Sequence, residues 1–317
     1  MNNLFAQNTI KYIWSHPNNK TKKLQSIFQF IGWQFYKRLF KRYIDIQLIP
    51  EVKLRCYPDS HSASAALYCG LYDYDDMNFL LRYLRDSDSF LDIGANVGVY
   101  TLLAASKIKS GLIYSFEALP KNVVRLKENL ELNQLQQVKT YSLAISDSTG
   151  SITLNLAEGD SMPFIAPEIK TVDLLQNSVS ATRSRTAIKV PTDTLDNILQ
   201  DNSIANLTLA KMDIEGAEIL AFKGATSLLE QKRPHVWILE ILDDVNHFGY
   251  HKEDILNLLK NYGYSIYLYK TDTNQLESIT LDQRQGNNVL AIADSAIDFV
   301  RDRLSQSAPI PSNSSYH

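Results

Sequence analysis

The stretch Phe90-Leu-Asp-Ile-Gly-Ala-Asn-Val-Gly-Val-Tyr-Thr-Leu-Leu-Ala-Ala105 decides how this chain folds. An apolar strand ends in an acid, Asp92. A loop carrying Gly94, Asn96 and Gly98 follows, and a helix opens at once near Val99. Such a loop lets a small ligand approach the backbone at the carboxyl end of a parallel strand. About twenty residues on, a second strand, Leu112 to Phe116, ends in Glu117. An acid there can accept hydrogen bonds from both hydroxyls of a ribose. Together the two segments describe half of a nucleoside-binding site.

Working outward, strands and helices alternate from residue 89. A helix opened by Pro120 runs to about Leu132, and a third strand covers Val138 to Leu143. A strand from Leu207 to Met212 ends at Asp213, with a helix near Gly216, and another strand spans His235 to Ile241. This alternation predicts a parallel sheet covered on both faces. Two last strands, Tyr264 to Tyr269 and Asn288 to Ala293, have no crossover helix between them and should pair antiparallel. After the turn Ser146 to Gly150, an alternating strand covers Ser151 to Leu156. Residues 157–187 carry Gly, Pro, Ser and Asn and read as an insertion or lid. The tail 305–317 reads as disordered.

Upstream, residues 1–50 read as a basic helical extension and residues 51–88 as a strand and a helix preceding the main domain, 89–304. The first 45 residues hold eight basic residues against Asp45, although the net charge of the whole chain is −3. Between Lys20 and Tyr43, Leu24, Ile27, Phe28, Ile31, Phe35 and Leu39 follow a helical period. Residues 20–43 could lie on anionic lipid. Amphipathic helices are mostly half-buried, however, which favours packing of that stripe on the main domain or on a second subunit. The aromatic run Leu67 to Tyr74 could roof a ligand site or simply pack at an edge.

The chain of 317 residues is 44% hydrophobic, enough for a substantial core, and its slightly acidic balance argues against a nucleic-acid partner. Cys56 and Cys69 have no metal or redox spacing and read as free thiols in a reducing compartment. No signal peptide and no membrane span is expected, which points to a cytoplasmic protein, at most peripheral at a membrane.

Dinucleotide sites want Gly-x-Gly-x-x-Gly, with the middle glycine against the pyrophosphate. Asn96 stands at that middle position. A ligand with an amino acid and a ribose but no phosphates, S-adenosylmethionine, tolerates it. Asp92 could then hold the methionine ammonium. The amides opening the helix could receive the carboxylate, worth roughly 0.3–1 kcal/mol. The second constellation is Lys211-Met-Asp-Ile-Glu-Gly-Ala-Glu218. It lies at the switch point of the sheet, so Asp213 and Glu215 are expected to border the transferred group, with Glu218 offsetting its helix dipole. An alcohol acceptor must lose a proton. Asp213, Glu215 or His247 could take it, with Glu240 nearby. The three acids could instead hold a divalent metal, but no second ligand cluster supports that, and no metal is expected.

These residues resemble a known family. Phe90 to Gly98, Phe116-Glu117-Ala-Leu-Pro120, Ala144-Ile-Ser-Asp147 with Gly150, Thr194-Leu-Asp196 and Lys211 to Glu218 are similar, in order and spacing, to the FkbM family of S-adenosylmethionine-dependent methyltransferases. The resemblance runs from about residue 70 to about 242. It implies a Rossmann-like class I methyltransferase fold, a mostly parallel seven-stranded sheet with an antiparallel last strand. It also implies O-methylation of a sugar, glycan or polyketide-type metabolite bearing a free hydroxyl. By position, Asp92, Gly94, Asn96 and Gly98 would line the methionine end and Glu117 would hold the ribose. Ala144 to Asp147 would border the adenine, and Asp213 and Glu215 would sit near the acceptor. The alternatives are a nicotinamide-dependent oxidoreductase, which Asn96 argues against, and a membrane-recruited, non-catalytic nucleoside-binding module.

Overall fold

The computed structural model describes residues 3–156, 164–165, 186–200, 204, 206–241, 249–280 and 288–307. The chain begins with α1 (Asn3–Ser15), α2 (Lys23–Leu39), β1 (Ile44–Ile49), β2 (Val52–Cys56), α3 (His61–Cys69) and α4 (Tyr74–Tyr83). Next come β3 (Ser89–Ile93), α5 (Val99–Lys107), β4 (Ile113–Phe116), α6 (Pro120–Leu132), β5 (Val138–Tyr141), β6 (Ala144–Ile145), β7 (Gly150–Leu156), β8 (Phe164–Ile165) and β9 (Thr186–Asp193). The last part comprises α7 (Leu195–Leu199), β10 (Leu207–Met212), α8 (Glu218–Lys223), α9 (Thr226–Glu230), β11 (Val236–Glu240), α10 (Lys252–Asn261), β12 (Tyr264–Lys270), β13 (Gln275–Ser278), β14 (Asn288–Ala293) and α11 (Ile297–Ser305).

One sheet organises the molecule, in the order β13-β12-β14-β11-β10-β3-β4-β5. The strands from β11 to β5 are parallel, and β14 runs antiparallel to both β11 and β12. This is the expected α/β arrangement with one more strand than expected. The eighth, β13, is a hairpin partner of β12, and its sequence Gln-Leu-Glu-Ser is too polar to announce a strand. β3 occupies the middle, so its loop opens where the order of the chain reverses. The register sets Lys211 beside Asp92 and Ser115 on the other side of it.

Alternate residues of the central strands feed two cores. Phe90, Ile113, Leu209 and Ile238 meet α4, α5, α6 and α11 on one face. Leu91, Tyr114, Ala210 and Trp237 meet α7, α8, α9 and α10 on the other. Such a sheet explains why its strands show no alternation in sequence. The expected third strand is shorter than read: β5 ends at Tyr141, and just beyond it Ala144 and Ile145 pair with β9 in a second sheet, β6-β9-β7-β8. Most of the expected insertion, and the tail from residue 308, lie outside the described residues. Cys56 and Cys69 are free and buried.

The N-terminal region departs furthest from expectation. Residues 44–49 form a strand paired with β2, not helix, and α3 was not legible at all. α2 packs with the face opposite to the expected one. Its buried residues are Ser26, Phe30, Trp33 and Gln34, while Leu24, Phe28, Ile31, Phe35 and Leu39 are exposed. The reason is the partner surface. Trp33 Nε1 donates to Ser64 Oγ at 3.1 Å, Gln34 Nε2 donates to the Tyr68 hydroxyl at 3.1 Å, and the Phe30 ring meets Tyr68 edge-on. α3 presents hydroxyls and an aromatic ring, so it is met by hydrogen-bond donors and rings in place of plain aliphatics.

Candidate active site

The glycine loop is shaped by contact with the next strand tips. Gly94 has φ +80°, and a Cβ there would lie 1.9 Å from the Asp213 carbonyl oxygen. Only glycine lets the two loops touch. The amides of Gly94 and Ala95 donate to the Phe116 carbonyl at 3.0 and 2.9 Å. Asn96 itself holds a left-handed φ of 52°. Its amide donates to Glu117 Oε2 at 2.7 Å, and the Leu119 amide donates to Glu117 Oε1 at 2.7 Å. The ribose candidate is thus clamped by main chain from both sides. Burial pushes its carboxyl up to about 7, against the pull of those two amides.

Over this loop lies a cavity of about 820 Å³. Gly94, Asn96, Glu117, Ala144, Asp213 and Glu215 line it, as does Glu240. Three expected cofactor residues do not. Asp92 is fully buried, with Oδ2 accepting from the Thr101 hydroxyl at 2.5 Å, so its carboxylate faces α5 and not the cavity. Gly98, at the start of α5, allows close packing on α6, since a Cβ there would meet Leu126 Cδ1 at 2.4 Å. Asp147 is exposed and accepts from the Ser148 hydroxyl within its own turn. His247 lies outside the described residues.

On the other side of β3 from Glu117, charges concentrate at the tip of β10. Lys211 Nζ donates to Asp213 Oδ2 at 2.8 Å and lies 5.2 Å from the centre of the Tyr100 ring. Burial alone would lower the lysine, but Asp213 and Asp92 outweigh it and hold the ammonium charged. Burial likewise disfavours the Asp213 anion, and Lys211 with the Glu240 carboxyl more than offsets it, so Asp213 stays ionised. Burial and the neighbouring Asp213 charge raise Glu240, which therefore keeps the proton the two acids share. Glu218 holds this loop in place, its Oε1 accepting from the Ile214 amide at 3.1 Å.

Two further lining residues come from the aromatic run that could roof a ligand site, although neither stands out within it. Asp73, between α3 and α4, accepts from the Tyr100 hydroxyl at 3.0 Å, and burial raises it to about 6. Tyr72 stands beside it in the cavity wall. Both fall in the aromatic run before α4, whose role as a wall depends on how α3 docks.

The lining suits a methylated nucleoside cofactor. Phe116, Ala118, Leu143 and Ile145 give an apolar slot beside Glu117, and the acids beyond it favour a cationic sulfonium. A divalent ion has one candidate place among the described residues. Asp213, Glu215 and Glu240 offer oxygens within 4.8 Å of one another, although Lys211 already supplies positive charge there.

The sheet order, with its parallel core and antiparallel β14, is that of a Rossmann-like α/β fold. The chain belongs to the family of the methyltransferase FkbM domain, whose model matches residues 92–266, more than half of its length. It is 23% identical over 215 residues to the hexuronic acid methyltransferase AglP of Haloferax volcanii, covering 68% of this chain and 78% of that one. It is 27% identical over 146 residues to the 2-O-methyltransferase NoeI of Sinorhizobium fredii, covering 45% of this chain and 59% of that one. A crystal structure of methyltransferase FkbM from Methylobacillus flagellatus aligns with a TM-score of 0.40 at 14% identity, over 85% of this chain and 60% of that one. Membership of this family replaces the nicotinamide-dependent alternative.

Proposed function

We propose that the chain uses S-adenosylmethionine to methylate a hydroxyl of a sugar or glycan. The observation that carries this reading is one continuous cavity. A backbone-clamped Glu117 and an ionised Asp213 beside Lys211 both line it, at the tips of the strands on either side of β3. The name of one relative, a hexuronic acid methyltransferase, supports a sugar acceptor, and that of another, a 2-O-methyltransferase, supports transfer to oxygen.

When bound, the cofactor supplies a methyl group already activated on its sulfonium. Glu117 would hold the ribose hydroxyls through the lone pairs its two amide partners leave open. The loop Gly94 to Asn96 would face the methionine portion, and Asp73 is the lining carboxylate best suited to its ammonium, in place of Asp92. The remaining task is to align the acceptor oxygen and remove its proton. Asp213 is ionised and would accept that proton, while Glu240, already protonated, would hold its partner in place. Glu215 borders the same space.

Calorimetry with S-adenosylhomocysteine tests the cofactor half, and binding of NAD in its place would overturn it. Incubation with uronate-containing and neutral oligosaccharides and a methyl-labelled donor tests the acceptor half. Label that appears only on nitrogen or carbon would end the O-methyl reading.

A further inference from the structure

α2 is apolar on two opposite sides. At 100° per residue, Leu24, Phe28, Ile31, Phe35 and Leu39 share one stripe, and the buried Ser26, Phe30, Trp33 and Gln34 lie on the other side. The stripe is bare: Phe28 is 70% exposed, Phe35 61% and Leu39 74%. Near it on α1, Trp14 is 46% exposed, with the Lys23 ammonium 5.0 Å from the centre of its ring. Five large apolar side chains in a row on an outer helix are far more than scattered surface hydrophobics require.

Charge selects the occupant. The first 45 residues carry a net charge of +7, which leaves −10 on the rest of the chain. Lys22 and Lys23 flank one end of the stripe, and Arg38, Lys41 and Arg42 flank the other. Two copies meeting through this face would bring like-charged surfaces together. An anionic lipid surface offers complementary charge and an apolar layer at the depth the stripe needs. No described helix is long and apolar enough to cross a membrane, so the contact would be at the surface.

We propose that α2 docks this protein on an anionic membrane, with the Leu24-to-Leu39 stripe in the headgroup layer. The inner side of the same helix supplies Phe30, Gln34 and Lys37 to the wall of the active-site cavity. Docking would therefore bring one wall of that cavity close to the bilayer.

The test is co-sedimentation of the full chain with phosphatidylcholine vesicles, with and without phosphatidylglycerol. Binding should be strong only with the anionic lipid and should weaken as salt is added. The triple variant Phe28→Ser, Phe35→Ser, Leu39→Ser should lower partitioning on the order of tenfold or more, with an unchanged far-ultraviolet dichroism spectrum. None of these three residues lines the cavity. As a second arm, Lys41→Glu with Arg42→Glu should abolish the preference for anionic vesicles. Wild-type protein that stays in the supernatant overturns the proposal. So does a wild-type dimer that the triple variant converts to monomer in sedimentation equilibrium, which would assign the stripe to a second copy.

Discussion

The two strand tips that flank β3 hold their carboxylates in different ways. At the tip of β4, main-chain amides of Asn96 and Leu119 grip Glu117. At the tip of β10, a side-chain ammonium, Lys211, neutralises Asp213. Amides fixed by loop geometry position a group whatever its charge. An ion pair in a buried place is a balance, and removing one member leaves the others uncompensated. The first arrangement suits recognition, and the second keeps Asp213 ionised and so able to accept a proton.

The largest expected effect breaks the balanced tip. Lys211→Met leaves the buried Asp92 and Asp213 without their cation, and a stability loss of about 3–5 kcal/mol is expected in urea unfolding. A loss below 1 kcal/mol would show that these acids tolerate each other without the lysine.

Next in size, Asp213→Asn keeps the shape but removes the proposed base. Turnover should fall about 10²–10⁴-fold with the affinity for S-adenosylhomocysteine unchanged. Wild-type turnover would move the base to another group. At the clamped tip, Glu117→Ala should weaken S-adenosylhomocysteine binding by about 1–3 kcal/mol in calorimetry and leave kcat at saturation nearly intact. Unchanged affinity would remove the ribose assignment.

The smallest effect probes the two tips by titration. Burial raises Glu117 and Glu218 to about 7 and Asp73 to about 6. A carboxyl raised in the folded chain stabilises it below its ordinary value, and that contribution is lost as pH rises through the folded value. The melting midpoint of the ligand-free protein should therefore fall by a few degrees between about pH 5 and pH 7.5. Glu117→Gln should flatten that slope. Asp213→Asn should flatten it through other groups, because the Asp213 charge helps to raise Glu240, Glu218 and Asp73. A slope left unchanged by Glu117→Gln would show that burial does not raise Glu117 in the folded chain.

The segments legible in the sequence were those whose roles are local. β3, its glycine loop, α5 and α6 follow from an apolar run, two glycines at positive φ and a proline at the first turn. Glu117 was legible because a strand end fixes where its side chain begins. Asp92 also stands at a strand end, yet the Thr101 hydroxyl one turn into α5 draws its carboxylate inward. Asp73 was hidden because it lies between two helices whose packing alone brings it to the cavity. On α2 the periodicity was correct but the packed face was not, since hydrophobicity cannot say whether a partner offers methyl groups or hydroxyls.

By itself the sequence determined the alternation of strands and helices, the glycine turn at the end of β3 and the acids at the tips of β4 and β10. Each depends on neighbours a few residues away, through backbone conformation and side-chain period. Only the tertiary structure decided which acids face the cavity, which one keeps a proton, and which side of α2 is left bare. Those outcomes depend on charges and surfaces brought together from distant parts of the chain.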